Sequence, residues 1–297
     1  MTLIPPSLPS IPGAVQSSGP DACLIDWPCV QRALESKGFA SVELEECYQS
    51  LARDWLMTLA EGFGGEFRLY ESPNFLILTP RGRKLAKNLV RLGEKTFETM
   101  TSQISSIAKK SGHGKFVCIV ADNIDRYYAY LDALYPSQDH NASSGVFISR
   151  GYAHFVPNHS EPWSQEHTFV HELTHALVQE ADLPLWLEEG VTQLMENTVF
   201  GSEFHLDRFE VERHHRYWHA HGLSDYWTGE SFSSRDDGYH LSYDLSQVIV
   251  RNMLSRSRKK FLRFLEIADS LDYGDEASRQ VFGCSLGEWA HQFLGPR

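Results

Sequence analysis

His171-Glu172-Leu173-Thr174-His175, followed by Leu185-Trp186-Leu187-Glu188-Glu189-Gly190-Val191, is the stretch from which the rest of this chain is read. Two His at i and i+4 lie on one face of a helix, about one turn apart, so both imidazoles can reach a single metal ion. The Glu after the first His sits beside that face, where its carboxylate can take a proton from a metal-bound water and later return it to a leaving amine. Two ligands do not hold a catalytic ion, so a third is expected downstream. The motif helix is expected to run to about Ala181, turn at Asp182-Leu183 and restart at Pro184, whose missing N–H costs nothing in a first helical turn. At roughly 1.5 Å per residue, His175 to Ala181 runs about 9 Å outward and Pro184 to Glu189 about 7.5 Å back. An antiparallel helix pair therefore returns Glu189 to the level of the two His. Glu188, about 100° round the helix from Glu189, is expected to face elsewhere. Gly190 suits close helix–helix contact, against a cost of about 1 kcal/mol relative to Ala inside a helix.

Together these two segments resemble the gluzincin zinc metallopeptidases, and among them the peptidase-MA-like proteins, whose third ligand is the Glu of a Trp-Leu-x-Glu-Gly segment. The resemblance implies one Zn2+ per chain, held by His171, His175 and Glu189, with Glu172 as general base. Thirteen residues separate His175 from Glu189, fewer than in thermolysin-like enzymes or the zinc aminopeptidases, so the loop between the helices is minimal. Tyr243-Asp244-Leu245-Ser246, leading into an apolar helix, resembles a segment whose Tyr hydroxyl donates a hydrogen bond to the oxyanion. Such a donor is needed because the metal stabilises only part of the developing charge. Tyr243 is the residue implied, and Tyr239 and His240 compete for the role, His240 sharing a helical face with Tyr243 at i, i+3. Tyr70-Glu71-Ser72-Pro73-Asn74-Phe75, Ala277 and Val281-Phe282-Gly283-Cys284-Ser285-Leu286 extend the likeness weakly over residues 66–295.

What the resemblance implies is peptide-bond hydrolysis on a peptide or protein substrate. The Gly-x-Met-Glu-Asn segment of zinc aminopeptidases is missing upstream of the motif, and Met195-Glu196-Asn197 falls after the third ligand, so an endopeptidase is favoured over an aminopeptidase. The alternative is a catalytically silent binding module for a protein partner, against which the intact Glu172 argues. A purely structural zinc site usually closes with four protein ligands, often Cys, and no Cys stands beside the motif.

Composition bounds these readings. A net charge of −12 over 297 residues, 42% of them hydrophobic, speaks against non-specific nucleic-acid binding and for a substantial core. No apolar run approaches the roughly 18 residues of a membrane span. The five Cys are odd in number and contain no C-x-x-C pair, which fits reduced thiols in a cytoplasm. Residues 1–22, rich in Pro and Ser, read as a disordered leader rather than a secretory signal.

The organisation expected is α+β and gluzincin-like. An N-terminal helical segment (23–65) precedes an α/β lobe with a small sheet (66–182), which ends in the motif helix. A helical lobe (183–297) carries the third ligand, with the zinc site between the lobes. Residues 24–62 read as helical, with Leu44, Tyr48, Leu51 and Trp55 on one stripe. Phe67–Tyr70 and Phe75–Leu78 read as strands, Arg83–Lys110 as a long amphipathic helix and Phe116–Val120 as a buried strand. Val146–Ile148 and Tyr152–Val156 read as a hairpin, which in gluzincins includes the sheet edge that pairs with extended substrate.

Gln193 and Glu196, four and seven residues beyond Glu189, project to its side of the helix. Either is placed to hold the distal N–H of a zinc-bound His, or to be an ordinary exposed residue. His167 extends the motif face without a Glu behind it. His205, His214, His215, His219 and His221 form a cluster that reads as a second metal site or as a cleft wall whose charge changes between about pH 5 and 8.

Overall fold

Two unbroken apolar runs, Phe75–Leu78 and Phe116–Ile119, lack the alternation of a half-exposed strand. That is the pattern of parallel strands covered on both faces. In this computed structural model the two are parallel neighbours, with Phe75 opposite Phe116 and Ile77 opposite Cys118. The structure describes residues 5–64, 66–136, 145–158 and 162–295.

In chain order the elements are β1 (Val15–Ser18), β2 (Cys23–Ile25), α1 (Trp27–Glu35), α2 (Ser41–Phe63), β3 (Arg68–Glu71), β4 (Phe75–Thr79), α3 (Gly82–Gln103), β5 (Phe116–Ile119) and α4 (Ile124–Leu134). There follow β6 (Gly145–Ile148), β7 (His154–Pro157), α5 (Pro162–Val178), α6 (Leu185–Phe200), α7 (Arg208–His221), α8 (Ser224–Thr228), α9 (Gly238–Arg256), α10 (Arg258–Ile267), α11 (Asp275–Phe282) and α12 (Leu286–Leu294). The fold class is α+β, as expected. Among the described residues no helix is long and apolar enough to cross a membrane.

The main sheet has the order β3-β4-β5-β7-β6, parallel in the middle and closed at each side by an antiparallel strand. The expected hairpin is β6–β7, with Val146 opposite Val156 and Ile148 opposite His154. Contacts divide the chain into two compact units, Met1–Lys95 with Ser111–Leu173, and Thr96–Lys110 with Thr174–Arg297. The boundaries fall within α3, in the segment between α3 and β5, and within α5, whereas the sequence suggests 65/66 and 182/183.

Segment 23–65 does not stand apart because it has no core of its own. The α2 side chains Leu51, Trp55 and Leu59 share one buried cluster with Leu76 and Val117 of the sheet. The stretch expected to be helical over 24–62 holds the end of β2, then α1 and α2. Asp26 caps α1 by accepting from Cys29 N at 2.8 Å, and Gly38, at φ 66°, sits in the break before α2. Residues 5–22, read from composition as part of a disordered leader, also belong to this unit. β1 pairs with β2, and Leu8, Ile11 and Ala14 enter the same cluster. Average composition is polar there, yet three apolar side chains spaced three apart suffice to anchor the segment. The long amphipathic stretch expected to Lys110 ends as helix at Gln103.

The second unit is helical. Trp186, Trp218, Tyr226, Phe261, Phe264 and Trp289 are all at 2% exposure or less and form its interior. Its Phe282-Gly283-Cys284-Ser285-Leu286 segment is a helix stop and start. Gly283, at φ 79°, ends α11, and Ser285 opens α12 in a capping box with Glu288. All five cysteines are free thiols, and Cys118 is fully buried, its thiol pushed up by desolvation.

Candidate metal centre

On α5, Phe169, Val170, Leu173, Ala176 and Leu177 are buried at 1% exposure or less. The opposite face, half-buried, carries His171 and His175, with Glu172 at its flank. The helix stops at Val178, three residues earlier than expected, and one 3-10 turn, Gln179–Ala181, completes it. Asp182 then takes the left-handed region at φ 48°, which Asp tolerates better than most residues. Pro184 caps α6, so the helix–turn–helix read from the sequence is present.

That hairpin brings the expected ligands together. Single donor atoms of His171, His175 and Glu189 all lie within 4.8 Å of one another. They form the one group of three or more His, Cys, Asp or Glu of this kind among the described residues. His175 Nε2 stands 3.6 Å from Glu189 Oε2, close to the roughly 3.4 Å that tetrahedral bonds of about 2.0–2.2 Å set between two ligands of one zinc. Glu189 is only 7% exposed, and a buried carboxylate is costly unless a positive charge or hydrogen bonds compensate it. The donor set, two imidazoles and a carboxylate, is that of a catalytic zinc site with a position left for water.

One partner was not foreseen. Glu188 does not face away: its Oε1 lies 2.7 Å from His175 Nδ1. The reading from angles treated each Glu as aimed at a point, but an imidazole has two nitrogens on opposite edges. Two adjacent carboxylates, about 100° apart on a helix, can therefore meet one ring from two sides. Burial disfavours the protonated imidazole, yet the Glu188 and Glu189 carboxylates outweigh it and raise His175 from 6.5 to about 10. The two carboxylates thus favour positive charge on the ring they share.

Gly190 explains how α6 carries its ligand so close to α9. A Cβ there would stand 2.6 Å from Val250 Cγ2 and 2.8 Å from the Ser246 carbonyl oxygen, so only glycine admits this backbone approach. Tyr243 lies on α9 one turn before Ser246, half-buried, with its ring against Phe232 and Tyr239. Tyr239 and His240 are exposed. Gln193 and Glu196 are half-buried on α6.

Of the downstream histidines, His214 and His215 on α7 are taken up by packing. His214 is fully buried, its Nδ1 accepting from Trp218 Nε1 at 3.2 Å and its Nε2 facing Asp244 Oδ2 at 3.7 Å. His215 Nε2 lies 3.2 Å from the Phe293 carbonyl, and His221 Nδ1 3.0 Å from that of Tyr217. His205 and His219 are exposed, and this cluster contributes to no metal group among the described residues. No protein-family model matches the chain, and no curated protein matches it.

Proposed function

We propose that this chain is a zinc-dependent peptidase of the gluzincin type that hydrolyses peptide bonds, as an endopeptidase more readily than as an aminopeptidase. The observation that carries the reading is the convergence of His171, His175 and Glu189 donor atoms within 4.8 Å, with Glu172 on the same helix beside them. When bound, zinc supplies a Lewis acid that polarises the scissile carbonyl and acidifies a water. Glu172 accepts a proton from that water as its oxygen adds to the carbonyl carbon, and delivers it to the amine nitrogen as the C–N bond breaks. The Tyr243 hydroxyl donates a hydrogen bond to the developing oxyanion, worth several kcal/mol in sites of this kind, typically about 2.7–4.

The edge strand β6 offers backbone groups to an extended substrate, which is the strand-addition mode of peptide recognition. The free thiols suit a reducing compartment, and we place the protein in the cytoplasm.

Glu172→Gln tests the chemistry. Zinc, measured by elemental analysis, is expected to remain, while hydrolysis of an unstructured protein substrate is lost. Turnover retained by Glu172→Gln would remove Glu172 from the role of general base.

A further inference from the structure

We propose that Glu188 is the positioning residue of the metal site, fixing the His175 ring so that Nδ1 carries the proton and the Nε2 lone pair is presented on the Glu189 side. The inference rests on the zinc-site reading above and assigns to Glu188 a task that the sequence had left to Gln193 or Glu196. Glu188 Oε1 and His175 Nδ1 are 2.7 Å apart, while Nε2 of the same ring is 3.6 Å from Glu189 Oε2. The two edges of one imidazole are thus committed to two consecutive residues of α6.

A carboxylate oxygen only accepts, so the ring nitrogen facing it must donate, and the other nitrogen is left as the ligand. Rotating the ring by half a turn would turn Cδ2 toward Glu188 and Cε1 toward Glu189 and break both relationships, so the contact selects an orientation as well as a tautomer. Glu188 also sits in the first turn of α6, where a carboxylate is favoured by the helix dipole and where the backbone is held by Pro184. Carboxylates that orient a ligating His usually contribute about 10- to 100-fold to metal affinity.

The test is competition of the full-length protein against a fluorescent zinc chelator for wild type, Glu188→Ala, Glu188→Gln and Glu189→Ala. Thermal unfolding of each metal-free protein accompanies it. Glu188→Ala is expected to weaken zinc by about 10- to 100-fold. Glu188→Gln, which keeps an acceptor oxygen for Nδ1–H and matches Glu in shape, is expected to recover much of that loss. Glu189→Ala is expected to lose more than either, and cobalt-substituted wild type and Glu188→Gln to share one visible spectrum, because the ligands are unchanged.

Wild-type affinity in Glu188→Ala beside impaired Glu189→Ala overturns the positioning role and leaves the zinc site intact. A greater loss in Glu188→Ala than in Glu189→Ala overturns it by making Glu188 the ligand. A wild type that takes up no zinc overturns the functional reading and the role of Glu188 with it.

Discussion

Two histidines in different parts of the molecule meet burial in opposite ways. His154, on β7 in the sheet, is 2% exposed and has only neutral partners: Tyr130 Oη at 2.8 Å from Nε2 and the Tyr152 carbonyl at 2.7 Å from Nδ1. The carbonyl can only accept, so Nδ1 holds the proton and Nε2 accepts from the tyrosine. Among the described residues no charged group opposes it, so desolvation prevails and the His154 pKa falls to about 4 despite the carbonyl's opposing pull. His175 is also desolvated, but it faces Glu188 and Glu189, and its pKa rises to about 10. Burial alone does not set what a histidine does; the charge of the groups that share its burial does. One ring is a neutral strut in a core, and the other stands between two carboxylates that favour its positive charge.

The sharpest way to break this contrast is to remove the proposed metal ligands. His175→Ala and Glu189→Ala are each expected to take zinc content from about one per chain to none, read by elemental analysis. Zinc retained by Glu189→Ala would move the third ligand elsewhere. Next in size is Glu172→Gln, for which a loss of about 100- to 10,000-fold in peptide hydrolysis is expected with metal still bound.

The neutral histidine is tested by pH. Its folded pKa of about 4 lies below the unfolded value of 6.5, so the unfolded chain binds more protons between them. Stability is therefore full above about pH 6.5, falls as pH drops through this window and levels below about pH 4, a total of about 3 kcal/mol from this group. Urea unfolding across that range, with His154→Phe as the comparison, checks it: a variant whose slope matches wild type would place the titration elsewhere.

The smallest effect concerns the scaffold. Gly190→Ala gains about 1 kcal/mol of helix propensity. Its Cβ, however, would press on the Ser246 carbonyl at 2.8 Å, and a net destabilisation of about 1–2 kcal/mol is expected. A stabilised variant would show that α6 and α9 separate freely at that point.

Much of the site was legible because it is local. The i, i+4 spacing of His171 and His175 is a property of any helix, and a short turn between two helices returns Glu189 to their level. The sheet strands were legible where apolar runs were unbroken, as in β4 and β5. Legibility failed where burial depends on partners distant in sequence. Nothing near Leu8, Ile11 or Ala14 announces the cluster they join with Leu51 and Trp55, and composition therefore misread residues 5–22. The histidines after α6 read as a second metal site or a titrating cleft wall, and packing against Trp218 and Phe293 gives His214 and His215 other work.

By itself, then, the sequence determined which two His share a helical face, which Glu returns to their level, and the α+β class, because these follow from backbone periodicity over a few residues. Only the tertiary structure decided that Glu188 shares the His175 ring with Glu189, that Gly190 lies against the α9 backbone, and that segment 23–65 belongs to the sheet's core. Each of these depends on which surfaces meet across long separations in the chain, and on the orientation a side chain takes when they do.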